Sequence, residues 1–161
     1  MCLHVKLYVK VVDMANTILK WALLVLTIII TLAVFSQVVT RYVIDYPLPF
    51  SEELARFLVV WIAFLGGAIA VRQKALIGMD AVIKLLPKAL QKTTNVLVFV
   101  ITTVFLITLM ISGIYMVEQT ANQLSPAMSL SMSIPYLAIP IGSFFMLCNV
   151  IANVVDKQGV N

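Results

Sequence analysis

Pro49 to Arg72 reads "PFSEELARFLVVWIAFLGGAIAVR", with Glu52, Glu53 and Arg56 crowded at the head of an apolar run. The uncharged part, Phe57 to Val71, is 15 residues long. At 1.5 Å per helical residue it covers roughly 22 Å, short of a hydrocarbon core about 30 Å thick. A helix that starts at Ser51 has 22 residues and is long enough to cross. Such a span carries its charges into the headgroup zone or into contact with another protein.

The rest of the chain has the same character. Of its 161 residues 62% are hydrophobic and 11% charged, with a mean hydropathy of +1.07. Soluble domains are about one quarter charged. Trp21–Val39, Thr93–Val117 and about Ile134–Val155 are further apolar runs of spanning length. The expected fold is an all-α membrane protein, a single domain over 1–161, with transmembrane helices at about 18–40, 51–72, 93–117 and 134–155. The first run has 19 residues and no A-x-A-like site after it, so it reads as a retained span and not as a secretory signal. Cys2 and Cys148 form no CxxC and imply no disulfide framework. With His4 as the one histidine, no His/Cys metal cluster is expected. The net charge of +4 does not point to nucleic acid, because the basic residues sit beside apolar spans.

Basic residues set the expected direction. Lys6, Lys10, Lys20, Arg72, Lys74, Lys84, Lys88, Lys92 and Lys157 flank one side of the spans, while Arg41 and Arg56 flank the other. Both termini and the middle loop are therefore expected in the cytoplasm, and the loops 40–50 and 118–133 outside. Ahead of span one, Leu3, Leu7, Val11, Met14 and Ile18 recur at helical spacing, with Lys6, Lys10, Asp13 and Lys20 elsewhere on the wheel. Residues 1–20 read as an interfacial helix leading into the first span. Between spans two and three, Val82, Leu86, Ala89 and Leu90 share a face while Asp80, Lys84 and Lys88 recur on another. That pattern predicts a cytoplasmic surface helix, kinked or split by Pro87, with Lys84, Lys88 and Lys92 against anionic lipid.

Chemistry is missing from the spans. Ionisable groups at mid-span are costly and usually functional, yet spans one, three and four hold no charged residue. Thr27, Thr31, Thr102, Thr103, Thr108 and Ser112 are expected to bond their own helices, and Asn149 and Asn153 to bond a neighbouring helix or meet the headgroups. Paired reactive cysteines, as a thiol–quinone oxidoreductase requires, are not present. Nor does span one hold the carboxylate of a proton-coupled drug exporter, or the chain the paired interrupted helices of secondary transporters. The chain alone is expected neither to catalyse nor to transport. Small residues remain: Ala63 with Gly67, and Gly66 with Ala70, allow close helix approach on span two, in internal packing or at a partner.

Arg41-Tyr42, Glu52-Glu53, Arg56, Trp61, Gly66-Gly67, Arg72 and Ile77-Gly78-Met79-Asp80, together with the proline-bearing start of span four "SIPYLAIPIG", resemble the small membrane subunit (DctQ-like) of tripartite ATP-independent periplasmic (TRAP) transporters. The motifs cover about a quarter of the chain and the four-span layout all of it; Phe50 and Leu76 depart from the pattern, where a Trp and a His are common. The resemblance implies a scaffold subunit of a sodium-coupled, binding-protein-dependent transporter for organic acids in a bacterial or archaeal cytoplasmic membrane. Its implied partners are a large multi-span membrane subunit, which carries the sodium and substrate sites, and a periplasmic substrate-binding protein; no cofactor is expected in this chain. Arg41, Tyr42, Glu52, Glu53, Arg56, Trp61, Ala63, Gly66, Gly67 and Ala70 are then candidates for the partner interface. A free-standing four-helix assembly or interaction module without transport activity is the alternative. Locally, Ser51 reads as an N-cap and Glu52 with Arg56 as an i,i+4 ion pair.

Overall fold

The structure, a computed structural model, describes residues 2–44, 49–73 and 87–159. Five helices account for almost all of them: α1 (Cys2–Val43), α2 (Pro49–Arg72), α3 (Lys88–Thr120), the single turn α4 (Ser133–Tyr136) and α5 (Ala138–Gly159). Four segments are long and apolar enough to cross a membrane: Leu7–Val43, Pro49–Arg72, Thr93–Thr120 and Ser133–Asp156. Each contains one of the four expected spans, the first starting 11 residues earlier than 18–40.

Proline sets several boundaries. Pro49 opens α2 two residues before the expected cap, so Ser51 lies inside the first turn and is buried there. A proline suits that first position, where its fixed φ is helical and its missing N–H would have no partner. Pro87, at φ −55° and ψ 144°, stands just outside α3, and its carbonyl accepts from Leu90 and Gln91. Lys88 and Lys92 consequently belong to the opening of the third span's helix and not to a separate surface helix; their side chains, Lys84 and residues 74–86 lie outside the described residues. Pro140 sits in the first turn of α5, where its missing N–H is tolerated. The helix expected over residues 1–20 is present from Cys2 and runs into span one without a break.

The middle of the bundle belongs to α2 and α5. The first packs against α1 and α5, the second also against α3, while no contact joins α1 to α3 among the described residues. Leu19, Leu65, Ala68 and Ile69 form the buried core, lined by Leu23, Leu26, Trp61, Phe145 and Met146. Two glycines allow the tightest crossings. A Cβ on Gly142 would lie 2.5 Å from Phe64 Cβ and 3.2 Å from Phe64's carbonyl carbon, and one on Gly113 would lie 2.8 Å from Pro140 Cδ. On the outside, α1 and α3 expose Ile28, Leu32, Phe35, Ile101, Val104 and Phe105. Lipid tails are as apolar as these side chains, so in a membrane such exposure carries no penalty.

Candidate functional site

Polar side chains gather at the two ends of the bundle. At one end α2 begins. Glu53, half-buried, turns its carboxylate toward the loop between α3 and α4: Oε2 accepts from the backbone N–H of Met128 at 2.8 Å and of Ala127 at 3.1 Å, and the Ser125 hydroxyl bonds the same carboxylate. That loop is also tied to itself. Ser125 N–H donates to Leu130 O at 2.8 Å and Met132 N–H to Gln123 O at 2.8 Å, and Ser129 takes the left-handed φ of 53°. One carboxylate thus accepts from two consecutive turn amides and fastens the loop to the head of α2. Its neighbour Glu52 is exposed and accepts from Gln37 Nε2 of α1 at 3.1 Å.

At the other end α2 finishes in Arg72, which bridges three helices. Its Nε donates to Asp13 Oδ1 of α1 at 2.8 Å, while Nη1 donates to Asp156 Oδ2 at 2.6 Å and to Asn153 Oδ1 at 2.9 Å, both on α5. Asn153 Nδ2 in turn donates to Val71 O at 2.7 Å, next to Arg72. Deeper in the bundle Asn16 and Asn149 exchange amide hydrogen bonds of 2.6 and 3.0 Å, and Asn149 also donates to Ala68 O at 2.8 Å. Both amides are buried and every one of these bonds joins two helices. Tyr8 OH adds a bond of 3.1 Å to Cys148 O. Because α1 begins and α5 ends here, both termini lie at the same end of the bundle.

Several predicted residues take partners inside the chain. Glu52 and Glu53 bond Gln37 and the loop; no ion pair joins Glu52 to Arg56 among the described residues, and Arg56 is exposed. The expected i,i+4 pair is replaced by tertiary contacts that outcompete a weak local one, worth only about 0.2–0.5 kcal/mol. Trp61 packs on the core, a Cβ on Gly66 would face Leu23, and one on Gly67 would press on the flexible end of Met146. Ala70 is half-buried. Arg41, Tyr42 and Ala63 are exposed. Three of the six expected helix hydroxyls, Thr27, Thr31 and Thr108, bond the carbonyl four residues back, whereas the hydroxyls of Thr103 and of Ser143 are buried without a partner among the described residues.

Sequence patterns single out Asn149, Asn153 and Arg72 among these residues but not their partners Asp13, Asn16 and Asp156. Their signal was available: Asn16, like Asn149, is a buried-type amide in apolar surroundings, and such groups need a partner helix.

The chain matches a family model described as "Tripartite ATP-independent periplasmic transporters, DctQ component" over residues 30–158. It is 27% identical over 143 residues to a putative TRAP transporter small permease protein of Haemophilus influenzae, a match covering 87% of this chain and 86% of that protein. The isethionate TRAP transporter permease protein DctMQ of Oleidesulfovibrio alaskensis is 27% identical over 109 residues, covering 66% of this chain and 17% of that protein. The sialic acid TRAP transporter permease protein SiaT of Haemophilus influenzae is 27% identical over 132 residues, covering 82% of this chain and 21% of that protein. The chain therefore spans most of the small permease and about a fifth of the two longer proteins.

Proposed function

Since the chain belongs to the DctQ component family of tripartite ATP-independent periplasmic transporters, we propose that it is the scaffold subunit of such a transporter and pairs with a large multi-span permease subunit in the cytoplasmic membrane. The observation that carries this reading is the placement of polar groups. They knit α1, α2 and α5 together at one end of the bundle and tie α2 to α1 and to the loop before α4 at the other, while the interior between is apolar apart from hydroxyls and the Asn16–Asn149 amide pair. A frame fastened at both ends is suited to hold still while another subunit moves against it. The similarity to DctMQ and SiaT, where the matched part is a small share of a longer permease protein, supports a large partner.

The finer parts of the proposal follow the same family. Sodium and substrate sites belong to the large subunit, a periplasmic binding protein delivers the substrate, and the substrate is an organic acid, the class to which isethionate and sialic acid belong. The exposed Arg41, Tyr42, Arg56 and Ala63 are the sequence candidates left free to meet a partner. Co-purification from native membranes tests the proposal. A stoichiometric complex with a much larger polytopic protein is expected, and recovery of this chain alone under conditions that preserve other membrane complexes contradicts it.

A further inference from the structure

Residues 7–21 of α1 carry three separate faces. Tyr8, Val12, Asn16 and Leu19 share one side at 100° per residue; Tyr8 and Asn16 bond α5 from it, and Val12, Asn16 and Leu19 are buried. Leu7, Val11, Met14 and Ile18 recur at i, i+4, i+7 and i+11 on a second side, about 120° round the helix, where they are 61%, 53%, 63% and 64% exposed. Exposed Trp21 extends that stripe. A flank between the two sides carries Lys10 and Lys20, both exposed and without an ion pair among the described residues. Asp13, the one carboxylate in the α1 sequence, falls on this flank too, and Arg72 neutralises it from α2 at 2.8 Å. The surface turned away from the bundle is thus apolar on one side and net positive beside it.

We propose that this part of α1 is a membrane-surface arm, with Leu7, Val11, Met14 and Ile18 sunk into the acyl boundary and Lys10 and Lys20 holding anionic phospholipid headgroups. The inference is independent of the transport reading. A hydrocarbon core needs about 20 helical residues, roughly half of α1, so the arm lies where headgroups begin. A contiguous stripe of large apolar side chains is not left to water. A helix that joins such a stripe to a basic flank fits an anionic interface, which offers acyl chains and phosphate charge together. A protein partner would need an apolar groove edged by carboxylates to match both faces, whereas the bilayer is already continuous with the span that the arm extends.

The test uses the full-length chain with Cys2 and Cys148 replaced by Ser and a nitroxide on Val11→Cys. Depth is read by collisional relaxation with oxygen and a water-soluble nickel chelate, in phosphatidylcholine vesicles with and without phosphatidylglycerol. With phosphatidylglycerol the label is expected to be open to oxygen and shielded from nickel. Lys10→Gln and Lys20→Gln should each shift the insertion equilibrium about fivefold toward water. A control label at Thr27→Cys, in the span, should read the same depth throughout and so certifies the fold. Nickel access in anionic vesicles overturns the proposal. So does a depth indifferent to both phosphatidylglycerol and the lysines, and so does shielding that appears only on addition of the large subunit, which would make the stripe a protein contact.

Discussion

The buried amide pair gives the sharpest quantitative test of how the bundle is held. Asn149→Ala removes three interhelical bonds: the two exchanged with Asn16, at 2.6 and 3.0 Å, and the one to Ala68 O at 2.8 Å. Interhelical hydrogen bonds in membranes average about 0.6 kcal/mol each, so the three contribute about 2 kcal/mol. Alanine's better helix propensity returns about 0.5 kcal/mol, leaving a net loss of about 1.5 kcal/mol, or roughly tenfold in the unfolding equilibrium. Asn16→Ala removes the two exchanged bonds and leaves the bond to Ala68 O in place. A double-mutant cycle should therefore give a coupling of about 1.2 kcal/mol, since the exchanged pair is lost only once. Reversible unfolding in mixed micelles, followed by helical circular dichroism, supplies the four free energies. A coupling under about 0.3 kcal/mol, the scatter of independent sites, would refute the pairing as an energetic contact.

Other joints make further predictions. Arg72→Ala should cost about 1–2 kcal/mol, between an exposed and a buried ion pair, because its side chain is 15% exposed while Asp13 and Asp156 are 53% and 35% exposed. Arg72→Lys should recover only part of this, because one ammonium cannot reproduce the fork to both carboxylates; full stability in the alanine variant would remove the bridge from the account. Glu53→Gln should release the loop, read as faster hydrogen exchange at Ala127 and Met128 with exchange at Ala68 unchanged, and equal exchange in both chains counts against the latch. Gly142→Ala should destabilise by about 1–3 kcal/mol through overpacking on Phe64, whereas Gly66→Ala, with Leu23 at an ordinary 3.9 Å, should be nearly neutral. Equal melting behaviour of those two variants would show that the α2–α5 crossing is not limiting.

The spans were legible because hydrocarbon thickness dictates their length, and Pro49 to Arg72 announced the critical one. Polar joints were less so, for two physical reasons. First, local rules spoke for Ser51 as a cap and for Glu52 with Arg56 as a pair, but these contacts are weak. Pro49 opens the helix earlier, and Gln37 and the loop amides claim the carboxylates. Gln37 is 15 residues from Glu52 in sequence, and Met128 is 75 from Glu53, beyond any local pattern. Second, the apolar stripe on α1 points away from the protein. In water Leu7, Val11, Met14 and Ile18 would mark the core, but where lipid is the solvent the face holding Val12, Asn16 and Leu19 is the buried one. Asn16 lies on that buried face, and its partner Asn149 is distant in sequence.

Reconstituted uptake measures the scaffold role most directly. Liposomes holding the large permease subunit, supplied with the periplasmic binding protein, an organic-acid substrate and a sodium gradient, are compared with and without this chain. Substrate accumulation is expected only when this chain is present, and none when it is the sole membrane component. Normal uptake in its absence would contradict the account, leaving the chain a passenger on the transporter and not part of its frame.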